Sequence, residues 1–318
     1  MDDYFDVDHA LNLLENLQLE RNRLNFKQSQ SLLSPYQAPQ TYHVVTLDNN
    51  NEPGGYYQET IFRLQGVVYE KELPPLKNIR DRRLQPAYIR QHVGITGLGL
   101  TYMTEAIDHL HQIFAHFQRT LKNEELTPWS GDHSCERFEG ITASCRYFTV
   151  GSSAFGRQSV PFQNGVDPDG LLRRMLGDGI THTEENVVLY MKATKSGPES
   201  KWRYREISPS IFSIGDIVEI QFTVMVVRQK EGNHKMITVL KSLTLLDDSV
   251  SVAATVARNK AMATKNFTAK PSNFLKRLRY EDCADDQEMA EEAHVRKGMA
   301  RLRIQNQSHN GLMNAESD

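Results

Sequence analysis

The feature that most restricts the fold is the run IFSIGDIVEIQFTVMVVRQ, from Ile211 to Gln229. Between 217 and 227, Val218, Ile220, Phe222, Val224 and Val226 alternate with Ile217, Glu219, Gln221, Thr223, Met225 and Val227. Successive side chains of an extended chain point to opposite faces. A period of two with one wholly apolar side therefore predicts a strand that turns this side to a core. The other side begins polar and ends apolar, so cover is expected over part of it. Such a segment spans roughly 36 Å, about twice an ordinary strand. Gly215 supplies a tight turn ahead of it, and Asp216 a cap.

A second long segment, 236–246, follows RQKEGNHK, whose Gly232-Asn233 pair suits a turn. Ile237, Val239, Leu243 and Leu245 are assigned to one face, which Lys241 interrupts. A bulge near Leu240 resolves the interruption. The other solution has Lys241 snorkelling from the core edge. Two long strands in a tight hairpin twist and curl, so the expected β-half is barrel-like or a strongly bent sheet.

Further strands are expected in HVVTL (43–47), ETIFRLQGVVYE (59–70), ITASCRYFTV (141–150), NVVLYMKAT (186–194) and KWRYREI (201–207). The turn-rich DNNNEPGGYY (48–57) joins the first two as an antiparallel pair. Met103, Ile107, Leu110, Phe114, Phe117 and Leu121 recur at three or four residues and predict a helix over 100–121 with a broad apolar stripe. Leu11, Leu14, Leu17 and Leu24 predict a short helix over 8–24, which cannot stand alone and must dock on its own domain or form a dimer seam. The expected class is α+β: a mainly antiparallel β-rich core with a packed amphipathic helix. Residues 1–40 form an N-terminal helix and linker, 41–250 the β-rich domain, and 251–318 a charged, partly disordered tail.

No run approaches 18 apolar residues, so no membrane helix and no membrane partner is expected. The opening MDDYFDVDH is acidic where a signal peptide is basic and then apolar. Three cysteines are too few for a disulfide scaffold. An intracellular location is expected, in nucleus or cytoplasm.

Four blocks, DPDGLLRRM (167–175), HTEENVVLYM (182–191), PSIFSIGDIVEIQFTVMVV (209–227) and MITVLKSLTLLDD (236–248), resemble a large family of uncharacterised proteins from mushroom-forming fungi. The resemblance covers about 130–250. It implies an intracellular fungal protein and no catalytic residue, since no activity is established for that family.

Enzymatic motifs are sparse. His182, Glu184 and His234 have the residue types of a two-histidine, one-carboxylate iron site. Against this, Thr183 ahead of EEN suits a cap, and His234 falls in an expected turn. His133, Cys135 and Cys145 lack the close Cys pairs of structural zinc sites, and Cys145 reads as a buried strand thiol. Gly94, Gly97 and Gly99 precede the long helix but match neither phosphate-loop pattern. No cofactor is expected.

Charge is more telling. PPLKNIRDRRLQPAY (74–88) is a basic loop that is either solvated or an anion contact. In KWRYREI, strand alternation puts Lys201, Arg203 and Arg205 in water and Trp202 and Tyr204 in the core. Arg258, Lys260, Lys265, Lys270, Lys276, Arg277 and Arg279 lie in a segment without an acid, and seven acids follow between 281 and 292. Such blocks are partner-binding arms, and the acidic one can mask the basic one. The leading expectation is a non-enzymatic binding or scaffold protein that touches nucleic acid or a protein through this basic segment. The alternative is a non-haem iron oxygenase using His182, Glu184 and His234. Oligomeric state is left open.

Overall fold

The computed structural model describes residues 2–21, 41–48, 56–76, 85–121, 126–131, 138–195, 197, 200–229 and 232–268. Its elements are α1 (Val7–Arg21), β1 (Thr41–His43), β2 (Val45–Asp48), β3 (Tyr56–Glu59), β4 (Phe62–Glu72) and β5 (Arg90–Thr96). Then come α2 (Thr101–Thr120), β6 (Leu126–Thr127), β7 (Gly140–Arg146), β8 (Thr149–Val150), β9 (Ile180–Thr181) and β10 (Leu189–Thr194). The chain ends its described part with β11 (Arg203–Glu206), β12 (Ile217–Arg228), β13 (His234–Asp247) and α3 (Ser249–Thr268). Two compact units result, Met1–Ala261 and Met262–Asp318; of the second, only the end of α3 is described.

The β12–β13 hairpin is the centre of the first unit. Val218, Ile220, Phe222, Val224 and Val226 are completely buried, as the alternation requires. Phe222 pairs with Leu240 and Gln221 with Ser242, so Lys241 is an extra residue in its strand. This bulge changes the phase of β13. Met236, Thr238 and Leu240 before it, and Leu243 and Leu245 beyond it, all oppose the apolar side of β12. Ile237 and Val239 therefore lie on the other face and are half-buried, which corrects the face assigned to them. The ejected Lys241 ammonium lies 3.2 Å from the Glu59 carboxylate.

Among the described residues the main sheet has nine strands. Its order is β11-β10-β13-β12-β4-β5-β7, with β1 added to β12 and β6 to β13. Pairing is antiparallel except between β10 and β13 and between β6 and β13. The sheet is open but strongly curled: β7, at the end of the order, approaches β13, and the Thr238 hydroxyl donates to the Thr142 carbonyl at 2.5 Å. The class is α+β with a β-rich core. The expected antiparallel pair of 43–47 with 59–70 forms over other residues: β2 pairs with β3, which begins in the expected turn, while β4 pairs with β12 and β5.

In α2, Met103, Ile107, Leu110 and Phe117 are buried, and the Tyr102 hydroxyl donates to the Gln65 carbonyl at 2.9 Å. Helix α1 buries Ala10, Leu14 and Arg21 and packs on β4, so its stripe is used within its own unit. Leu24 and the expected linker up to residue 40 lie outside the described residues.

The turn into β12 follows the reading of its sequence. Gly215 has φ +92°, and a Cβ there would stand 2.8 Å from the Phe5 ring. Asp216 accepts the Ser213 N–H at 2.6 Å and the Ser251 hydroxyl at 2.5 Å. Two elements depart from expectation. β5 occupies sequence ahead of the predicted helix for which no strand was expected, and α3 occupies the start of the expected tail. Gly94 is inside β5 because a Cβ would stand 2.6 Å from the Tyr69 ring; its role is close packing, and it does not cradle phosphate.

Candidate functional site

The basic segment begins on α3. The Asp247 carboxylate accepts the Ser249 N–H at 2.8 Å and opens the helix. Val250, Ser251 and Ala254 are buried and hold its first turns. Beyond them its side chains are half-buried or exposed as far as Thr264. Arg258 is half-buried and its Nε donates to the Asp2 carboxylate at 2.6 Å, so an N-terminal acid already engages this cation. Lys260 is exposed. Lys265 belongs to the same helix, while Lys270, Lys276, Arg277 and Arg279 lie outside the described residues.

The iron reading is overturned. Among the described residues no three His, Cys, Asp or Glu side chains gather as a metal site. His182 is buried, its Nδ1 lies 2.8 Å from the Tyr147 carbonyl, and its ring stacks on Phe162 at 4.2 Å. Burial holds its pKa below the ordinary value, against the pull of the Tyr147 carbonyl. Glu184 is exposed in a short 3-10 turn. His234 opens β13, edge-on to Tyr42 at 6.0 Å. Thr183 is the cap: its N–H and hydroxyl both donate to Asn186 Oδ1, at 2.9 and 3.0 Å. These residues build a loop and bring no open metal position together.

His133 and Cys135 lie outside the described residues. Cys145 is buried in β7, and burial pushes its thiol up to about 11, against the smaller pull of Lys241. A cleft of about 130 Å³ is lined by Gln163, Asn164, Tyr190, Glu206, Ile207 and Ser208. Sites for drug-sized ligands start at about 300 Å³, so this cleft fits waters or a very small solute.

The KWRYREI segment departs from its expected burial. All four residues of β11 are exposed, and Tyr204 keeps 39% of its surface. Trp202 is half-buried against the core. The reason is Arg21 at the end of α1. Its guanidinium lies 4.7 Å from the Trp202 ring centroid and 5.8 Å from that of Tyr204. Its Nη2 donates to the Tyr204 hydroxyl at 3.0 Å and to Glu219 at 3.1 and 3.2 Å. Gln65 Nε2 adds a bond to the same carboxylate at 3.3 Å. A buried guanidinium thus covers the polar side of β12, using rings the sequence alone assigns to the core. Nothing in the spacing of Arg21 and Glu219, far apart in the chain, signals this pair.

The geometry defines an α+β protein with a curled sheet, a buried ion pair under its N-terminal helix, and a helix, α3, whose described part bears Arg258 and Lys260. No family model matches the chain, and comparison with curated proteins finds no match. Among solved structures, the chain is similar to gp2.5, a single-stranded DNA binding protein encoded by bacteriophage T7. The TM-score is 0.32 and the identity 11%, over 59% of this chain and 92% of that one. That superposition is too low to define a shared fold. No helix among the described residues is long and apolar enough to cross a membrane.

Proposed function

We propose that this chain is a non-enzymatic binding protein that contacts nucleic acid through the basic segment from Arg258 to Arg279. The supporting observation is α3: a helix seated by Val250, Ser251 and Ala254 continues with largely exposed side chains into a stretch of seven basic and no acidic residues. Phosphate neutralisation by such a stretch releases counterions, so binding falls with salt. If all seven cations meet phosphates of a single strand, log K falls with log salt at a slope of about −5.

The test is fluorescence anisotropy of a labelled oligonucleotide against the full chain between 50 and 200 mM salt. Changing Lys276, Arg277 and Arg279 together to Ala is expected to make the slope shallower by about 2. Absence of binding at low salt, or an unchanged slope in this variant, refutes the reading. A second reading, an acidic protein segment as partner, is favoured by Arg258, whose partner in the structure is the carboxylate of Asp2. It predicts binding to a polyglutamate peptide that the same variant weakens.

A further inference from the structure

β5 and β7 pair so that Arg90 stands directly opposite Arg146, and both side chains are exposed. Like charges directly opposite each other in a ladder repel, and opposite charges are the stabilising choice. Among the described residues neither guanidinium has a carboxylate in ion-pair range. The acids along this side belong to the next strand, β4. Glu72 pairs with His92, and the Glu70 carboxylate lies 3.7 Å from His92 Nε2. The two arginines are thus a concentrated positive charge that the packed strands do not neutralise.

Rigid neighbours hold them. Gln91 and Cys145, the next residues along the two strands, are themselves paired and point inward. Gln91 Oε1 accepts the Tyr190 hydroxyl at 2.6 Å, and its Nε2 donates to the Asn186 carbonyl at 3.1 Å. Alternation then fixes Arg90 and Arg146 outward on the same face. Tyr88, two residues before Arg90 in the turn that leads into β5, is 52% exposed.

We propose that Arg90, Arg146 and Tyr88 form a binding site for single-stranded nucleic acid. The two guanidinium forks clasp backbone phosphate, and the tyrosine ring stacks an unpaired base. A phosphodiester supplies an anion for this pair, and guanidinium geometry suits it. Cations with an exposed ring close by in the chain are what single-strand recognition uses. This site stands on β5 and β7 and does not rest on the reading of α3.

Two phosphate contacts to a single strand contribute a salt slope of about −1.4, roughly a sevenfold weakening between 50 and 200 mM. With the full chain and a labelled single-stranded oligonucleotide, R90A/R146A is expected to make the slope shallower by about 1.4. Its thermal stability is expected to equal or exceed that of the parent, since a repulsion is removed. Tyr88→Ala is expected to weaken binding roughly fivefold or more with the slope unchanged. In the background of Lys276, Arg277 and Arg279 changed to Ala, the step of about 1.4 persists, which separates this site from the α3 segment. An unchanged slope in R90A/R146A overturns the proposal. So does wild-type affinity in Tyr88→Ala, or a Tyr88→Ala loss that is equally large on duplex DNA.

Discussion

The buried pair between Arg21 and Glu219 has a testable energetic signature. Both side chains are almost wholly inaccessible, at 0% and 1%. Arg21 Nε and Nη2 reach the carboxylate in a fork at 3.1–3.3 Å. Replacing Arg21 by Met leaves the carboxylate of Glu219 with Gln65 as its remaining side-chain donor. Breaking one partner of a buried pair costs about 3–5 kcal/mol, because the other charge stays buried without compensation. Glu219→Leu leaves the guanidinium stranded between Trp202 and Tyr204 at a similar cost. Replacing both together by apolar residues is often close to neutral. The double variant R21M/E219L is therefore expected to be more stable than either single variant. Urea unfolding, with the denaturant slope shown to be constant across the set, measures all four corners of the cycle. Single variants costing less than about 1 kcal/mol, or a double variant costing the sum of the two, refute the assignment of a tightly coupled buried pair. Arg21→Lys adds a check on geometry. An ammonium cannot form the fork or lie flat on Trp202, so partial loss is expected even though the charge is kept.

Two other outcomes follow from the same strands. Burial raises the Glu59 carboxyl, but its contacts with His43 and Lys241 outweigh this and bring it to about 2. Its folded-state value is depressed, so its stabilisation is present above about pH 4.5 and is lost as pH falls toward 2. The carboxylate is about one-third exposed, and after allowance for solvent screening the effect is about 1–2 kcal/mol; Glu59→Gln should flatten this part of the acid-denaturation curve, and an unchanged acid limb refutes it. The Cys145 thiol, buried and raised to about 11, is expected to resist iodoacetamide at pH 8 until the chain unfolds; peptide mapping that finds native Cys145 modified at the denatured rate contradicts the packing of β7.

Wherever one face alone decides an element, the pattern of residues was sufficient. The alternation of β12 is a strong signal because the core side is uninterrupted, and every residue on it is buried. The bulge at Lys241 was legible because a charge cannot stay in phase with Leu243 and Leu245. Which side the preceding residues took was not, because Ile237 and Val239 are as apolar as Met236 and Leu240. β5 was lost because RQHVGIT carries four polar residues and a glycine and runs directly toward the strong stripe of α2. Helix α3 was lost because its buried side needs only Val250, Ser251 and Ala254, too small and polar a set to make a stripe.

Interaction chemistry was harder to find because it depends on register, which is a property of pairs of strands. The iron reading took three residues of suitable type and assumed convergence. In the structure His182 is used by Tyr147 and Phe162 and Thr183 by Asn186, so local packing already accounts for that segment. The Arg90–Arg146 pair is the reverse case. Neither residue stands out in the sequence, and with no strand expected over 90–96 no spacing brings them together. A one-residue slip between β5 and β7 would set Arg90 against Cys145 or beyond the end of the strand, and the charge would be dispersed. The same ladder that buries Val93, Ile95, Ile141 and Ala143 forces the two arginines to face each other, so the register that completes the core also concentrates the charge.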